Sequence, residues 1–278
     1  MFPQLVAGPI VRASYLLPQI QSPKLYLTPK CIFDGAIMIV WGLFLKIALA
    51  ENAAPLADAY FNNVGGAGAV DAYIGIFAFA MQIYGDFAGY SLMAIGIGKW
   101  IGYDFGINFR RPYFAISFSD FWRRWHISLS SWLRDYLYIT LGGNRGTAIE
   151  TYRNLFMTML LGGLWHGASW NFIIWGGLHG LYLVVERLTN IPARVNAISM
   201  KPVRISSSLV YSIFIFLCVC FSWIFFRANS ISDSILVVET IFTTSIDKSR
   251  TTSLESFIYF LIPLFFVILH DMIQEIWE

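Results

Sequence analysis

Five stretches of this chain are apolar enough to enter a bilayer as helices: Ile32–Ala50, Ala72–Gly98, Leu155–Glu186, Ser208–Phe226 and Ser256–His270. A full crossing needs about 20 mostly apolar residues, so the last is short for one. In hydrocarbon every backbone N–H and C=O must find a partner within the protein, a demand that a helix meets locally. The fold class expected is therefore all-α and polytopic. Composition agrees, because 57% of residues are hydrophobic and 13% charged, against about 25% charged in soluble domains. Ile235–Phe242 reads as interfacial. Cys31, Cys218 and Cys220 fall in or beside apolar runs, which suggests packed or lipid-facing thiols. The opening MFPQLVAGPIVRA carries two prolines and no basic residue before its apolar ones, so no cleavable signal peptide is expected.

Loop charges suggest an orientation, since basic loops stay in the cytoplasm. The stretch before the first span holds Arg12, Lys24 and Lys30 without an acid, and Glu51–Asp71 holds Glu51, Asp58 and Asp71 without a base. Asn108–Arg153 is rich in arginine, and so is Arg187–Arg204. That gives inside, outside, inside for the first three regions. Leu155–Glu186 then stands out, because both its flanks are basic. As one straight helix it would reach about 48 Å, beyond a hydrocarbon core of about 30 Å. Two half-length helices bent near GASWN satisfy both constraints. One long tilted helix with a basic outside loop is the alternative, and the two readings stand nearly level.

Asn108–Asn144, NFRRPYFAISFSDFWRRWHISLSSWLRDYLYITLGGN, mixes aromatics with arginines at short spacing. Such residues favour the headgroup level, so interfacial or re-entrant helices are expected there. Ser119 is the expected cap of a helix starting at Asp120, and Gly142-Gly143-Asn144 ends the stretch.

The candidate site centres on GGLWHGASWN. An ionisable side chain at membrane depth is a functional-site hypothesis by default, and His166 is flanked by glycines that leave room for a ligand. Trp165 and Trp170 can wall a slot and Asn171 can orient a neighbour. A histidine titrates near neutrality and suits proton abstraction; an imidazole merely bridging two helices is the competing reading. His126, in WRRWHIS, reads as a second proton-handling or orienting group or as an interfacial bystander. Arg123 and Arg124 can meet phosphate oxygens or lipid headgroups. His179, thirteen residues after His166, lies on a different helical face and reads as structural. His270 sits at a segment end. Asp86 has Gln82, Tyr84, Tyr90 and Ser91 as local partners and reads as cavity-lining, while Lys46 can snorkel. No P-loop, dinucleotide glycine fingerprint, zinc-ligand cluster or GxSxG is present. Chemistry is therefore expected to rest on histidine, with no bound cofactor and no metal.

FPQLVAGPIVRA, QIYGDFAGYSLMAIG, FSDFWRRWHISLSSWLRDYLYITLGGNR and GGLWHGASWNFIIWGGLHG closely resemble the membrane-bound O-acyltransferases. The nearest branch acetylates bacterial polysaccharides such as alginate; a more distant one transfers D-alanine to teichoic acid. The resemblance implies helices enclosing a central cavity in the bacterial inner membrane. It implies an acyl thioester donor, acetyl-CoA or an acyl carrier, arriving from the cytoplasm. The acceptor would be a polysaccharide hydroxyl or a periplasmic acetylation partner protein, with membrane lipid around the protein and no nucleic acid. It carries the family's catalytic histidines onto His166 and His126. Residues 1–278 read as one membrane-embedded domain corresponding to the C-terminal two-thirds of the family fold. Relatives often have a second aspartate where this chain has Leu92, which argues against a carboxylate pair there. A proton-coupled transporter using His166 and Asp86, and a scaffold for acetylation partners, are the non-enzymatic rivals.

Overall fold

The computed structural model describes residues 8–22, 28–197, 199–243 and 253–277, and among these every regular element is helical. The start of the FPQLVAGPI block lies outside the described residues. Three helices are long and apolar enough to cross a membrane: Pro29–Phe61, Ser206–Arg227 and Leu254–Trp277.

After α1 (Ala13–Gln21), the first of these joins α2 (Pro29–Leu43), a π-helical stretch (Phe44–Ala50) and α3 (Glu51–Phe61) without a break. Thr28 caps it by accepting from the Cys31 N–H, and Pro29 takes the first helical position, where its missing N–H costs nothing. The acids of Glu51–Asp71 suggested an outside loop, yet its first 11 residues are helix. Ala53, Leu56, Ala57, Tyr60 and Phe61 form a stripe buried in the core, and that burial outweighs the polarity of the other face.

α4 (Ala69–Trp100) runs 32 residues and packs along this composite helix through a glycine seam. Gly35 faces Gly96, and Gly42 faces Gly89. A Cβ on Gly42 would stand 2.6 Å from the Gly89 carbonyl oxygen, and one on Gly89 equally close to that of Gly42. Small residues let helix backbones approach where lipid gives no hydrophobic drive to associate. Across the same seam Lys46 pairs with Asp86. The local partners expected for Asp86, and the snorkelling expected for Lys46, are replaced by this cross-helix ion pair. Tyr84 instead donates to Asp271 (3.1 Å).

α5 (Phe118–Arg124) and α6 (Ile127–Leu133) are two short helices joined at Trp125 and His126, and a π-helical turn (Arg134–Tyr138) follows. The cap of α5 is Ser117, two residues earlier than expected; its Oγ accepts from the Asp120 N–H (2.8 Å). The Ser119 N–H is taken by Glu186 at 3.0 Å, together with that of Phe118. A buried carboxylate thus serves two unpaired donors at the positive end of the helix. Glu186→Gln leaves one donor facing an amide that offers fewer acceptor sites. It is expected to lower stability by about 1–3 kcal/mol, measurable as a fall in the melting midpoint in detergent; an unchanged midpoint would show that α5 is held otherwise. From α6 the chain follows the next helix, α7 (Ala148–Trp165), with Leu133 against Gly162 and the Gly143 carbonyl accepting from Asn154 (3.0 Å). It runs back along that helix, antiparallel to it.

α7 (Ala148–Trp165) opens on a capping box, Thr147 with Glu150, and α8 (Trp170–Thr189) opens on Ser169. The break falls at 166–169, where the bend was expected. The helices are antiparallel: Gly163 packs on the Phe172 carbonyl, Gly176 on that of Met159, and Gly180 on Phe156. One long tilted helix is thereby excluded. The arms are not half-length, however. At 18 and 20 residues they reach about 27 and 30 Å, because α7 starts seven residues before the apolar run does.

α9 (Ile191–Asn196) leads to α10 (Lys201–Arg227), α11 (Ile231–Thr243) and α12 (Leu254–Trp277). The core lies where α10 meets α3, α4, α8 and α12, around Val219, Trp223, Ile224, Phe79, Trp175 and Phe260. α10 turns Leu209, Val210, Ile213 and Leu217 outward, as a lipid-facing surface does. His270, expected at a segment end, lies inside α12, its ring tilted against Trp41 at 4.2 Å. The helix continues because its acids are paired: Asp271 with Tyr84, and Glu275 with Arg111 and Arg124. Among the described residues the cysteines are free thiols.

Candidate active site

His166 occupies the turn between α7 and α8. Its half-buried ring is set among Trp165, Trp175 and Phe226, with centroids 5.1–5.2 Å away and planes nearly perpendicular. Neither ring nitrogen has a hydrogen-bond partner among the described residues. An imidazole gripped by aromatic edges, with both nitrogens free, is oriented yet chemically uncommitted.

His126 is buried, at the junction of α5 and α6, in the left-handed region (φ 42°, ψ 56°) that non-glycine residues rarely adopt. Backbone bonds hold it there. Ile127 N–H donates to the Asn108 carbonyl and Arg110 N–H to that of Arg124, both at 2.9 Å. Phe87 packs edge-on against the ring at 4.6 Å. His166 thus sits at the turn of one hairpin, and His126, forty residues earlier, at the kink between two short helices.

A cleft of ≈ 460 Å³ is lined by Lys46, Gln82, Asp86, Tyr90, Phe87 and Phe226, among others. Two of its aromatic walls, Phe87 and Phe226, are rings that pack on His126 and His166 respectively. The cleft is chiefly apolar, with the Lys46–Asp86 pair as its charged feature. A second cavity of ≈ 310 Å³ lies on the far side of Asn108, between α2, α4 and α12, with Arg110 and Arg111 on its rim.

The remaining expected residues are distributed unevenly. Trp165 touches His166, but it and Trp170 are mostly exposed, 58% and 68%, so they flank the turn without enclosing it. Asn171 is buried and ties α8 to the end of α10 by donating to the Ala228 carbonyl (2.9 Å). Arg123 is exposed beside a small cavity with Ser130 and Arg134. Arg124 does not fit the expected phosphate role. Its guanidinium makes two bonds to Glu275 (2.8 and 2.9 Å) and pairs with Asp120 (2.9 Å), which fixes α5 to α12. His179 is fully buried, bonded through Nε2 to Ser222 (2.9 Å), in the structural role expected of it. Among the described residues no three His, Cys, Asp or Glu side chains cluster as metal ligands. Asn108 and Ser128, which contact His126, and Lys46 were not legible as site residues, because a single asparagine or serine in a polar loop carries no pattern.

The membrane-bound O-acyltransferase family model matches residues 1–227. The chain is 43% identical over 261 residues to a protein named probable alginate O-acetylase AlgI from Azotobacter vinelandii, covering 92% of this chain and 50% of that one. It is 42% identical over 239 residues to a peptidoglycan O-acetyltransferase of Helicobacter pylori, covering 86% of this chain and 44% of that one. A teichoic acid D-alanyltransferase of Streptococcus thermophilus is 32% identical over 120 residues, covering 40% of this chain and 28% of that one. The chain thus spans about half the length of the first two relatives.

Proposed function

Because the chain belongs to the membrane-bound O-acyltransferase family, we propose that it takes part in moving an acetyl group from a thioester donor to a hydroxyl of an exported polysaccharide. The observation that supports this reading is one cleft lined by Phe87, which packs on His126, and by Phe226, which packs on His166, an imidazole with no hydrogen-bond partner for either nitrogen among the described residues. In the reaction the acceptor oxygen attacks the thioester carbonyl and its proton passes to the His166 imidazole. The C–S bond then breaks, and the departing thiolate takes up a proton. A hydroxyl is a weak nucleophile until its proton leaves, and a positioned base contributes about 10²–10⁴-fold. His126 assists by orienting the donor or carrying the second proton. The donor, acetyl-CoA or an acetylated carrier, comes from the cytoplasmic side of the inner membrane. The acceptor is the polymer itself or a periplasmic partner protein that passes the group on.

The two relatives matched over most of this chain carry acetyl transfer in their names, and the D-alanyl relative aligns over a shorter stretch. The test is reconstitution in proteoliposomes with acetyl-labelled thioester donor and a panel of hydroxylated acceptors, alginate and peptidoglycan fragments included. Base-labile label in an acceptor is the expected result. Donor that stays intact with every acceptor, while a proton gradient across the same vesicles collapses, would favour a transporter and overturn the reading.

A further inference from the structure

Asn108 is fully buried, in the loop after α4, with its side chain against His126. Its Oδ1 faces three groups: the His126 Nδ1 (3.2 Å), the Ser128 backbone N–H (3.2 Å) and the Ser128 hydroxyl (2.8 Å). Its Nδ2 donates to the Ser91 hydroxyl (3.0 Å). A backbone N–H can only donate, so the atom opposite Ser128 must be the amide oxygen, and the amide cannot be flipped without setting two donors against each other. The Ser128 hydroxyl lies 3.4 Å from Nδ1 and closer to Oδ1, so it donates to the oxygen; it accepts in turn from the Ile10 N–H (2.9 Å). An acceptor at hydrogen-bond distance then requires a proton on Nδ1.

We propose that Asn108 is a positioning residue that locks His126 as the Nδ1–H tautomer, leaving the Nε2 lone pair as the proton-accepting end of the ring. Nε2 makes no hydrogen bond among the described residues. The left-handed backbone at His126 belongs to the same device: the Asn108 carbonyl accepts from Ile127 and its side chain from Ser128, so both residues that follow the histidine are pinned to the asparagine that meets its ring. The tautomer assignment stands on geometry alone. Its kinetic consequence rests on the acyltransfer reading.

The chain has four histidines, few enough to resolve the ring nitrogens by ¹⁵N NMR of histidine-labelled protein in nanodiscs, with the His126 signals identified by their loss in His126→Gln. The unmodified protein is expected to show a pyrrole-type Nδ1 and a pyridine-type Nε2 at position 126; the reverse pattern would overturn the proposal. Asn108→Asp keeps an acceptor in place and is expected to preserve the tautomer. Asn108→Ala is expected to give a mixture of tautomers and at least about a 10-fold loss in kcat with the KM for donor unchanged; Asn108→Ala that folds and keeps Nδ1–H would also overturn it. A correct tautomer in a protein that transfers no acetyl group would instead count against the acyltransfer reading.

Discussion

His166→Ala is expected to lower acetyl-ester formation about 10²–10⁴-fold while the protein accumulates in the membrane at its usual level. The two halves of that outcome have separate physical grounds. Loss of rate follows from loss of the base that the proposed reaction assigns to the acceptor proton. Retention of the protein follows because the ring is half-buried and accepts or donates no hydrogen bond among the described residues, so no buried partner is orphaned. His166→Gln, which keeps most of the side-chain volume between Trp175 and Phe226, is expected to lose as much rate with still less disturbance. His179→Ala makes the contrast. It opens a hole in the core among Phe121, Trp122 and Trp175, so it is expected to cost protein level before it costs chemistry. Label transfer per unit of folded protein separates these cases, and a His166→Gln enzyme with normal transfer would remove His166 from the chemistry.

The second large effect is on folding. A Cβ at Gly163 would stand 2.2 Å from the Phe172 carbonyl oxygen and 3.2 Å from the Gly176 Cα. Both obstacles are backbone, so neither can swing aside, and the two arms must separate. Gly163→Ala is expected to destabilise by at least the 1–3 kcal/mol or so typical of overpacking, and Gly163→Leu to prevent the hairpin from closing. Gly177, one helical step round from the contact, is the control: its Cβ would meet Leu160 and Phe156 side chains at 3.7 and 3.9 Å, ordinary contact distances. Gly177→Ala is expected to be neutral or slightly stabilising, since alanine favours helix over glycine by about 1 kcal/mol. Thermal melts of both variants in detergent decide the matter; equal midpoints would show that the arms do not touch at Gly163 in solution.

Hydrophobic run length was enough to read the all-helical class and the approximate places of α4, α10 and α12. Excess length together with basic flanks pointed to the break between α7 and α8. Boundaries were misread wherever packing overrode charge. α3 forms under Glu51 and Asp58 because its alanine, leucine and aromatic stripe is covered. α12 runs past His270 because Arg111 and Arg124, distant in sequence, neutralise Glu275. The same non-locality hid the partners of the candidate site. His166 and His126 stood out as ionisable groups in unusual company, whereas Asn108 gains meaning only from its place beside His126. Arg124 shows the opposite error, since an arginine beside a histidine looks available until its carboxylates, Glu275 and Asp120, are found.

The antiparallel hairpin of α7 and α8 has a consequence for assembly. Because its two ends emerge together, it contributes nothing to the odd-or-even tally that decides on which face α10 begins. A histidine-bearing finger can therefore be lengthened, shortened or re-aimed without inverting the sidedness of whatever is threaded after it. Sequence can change between Ala148 and Thr189 under the demands of packing and chemistry, with the charge code of the other loops left to fix orientation.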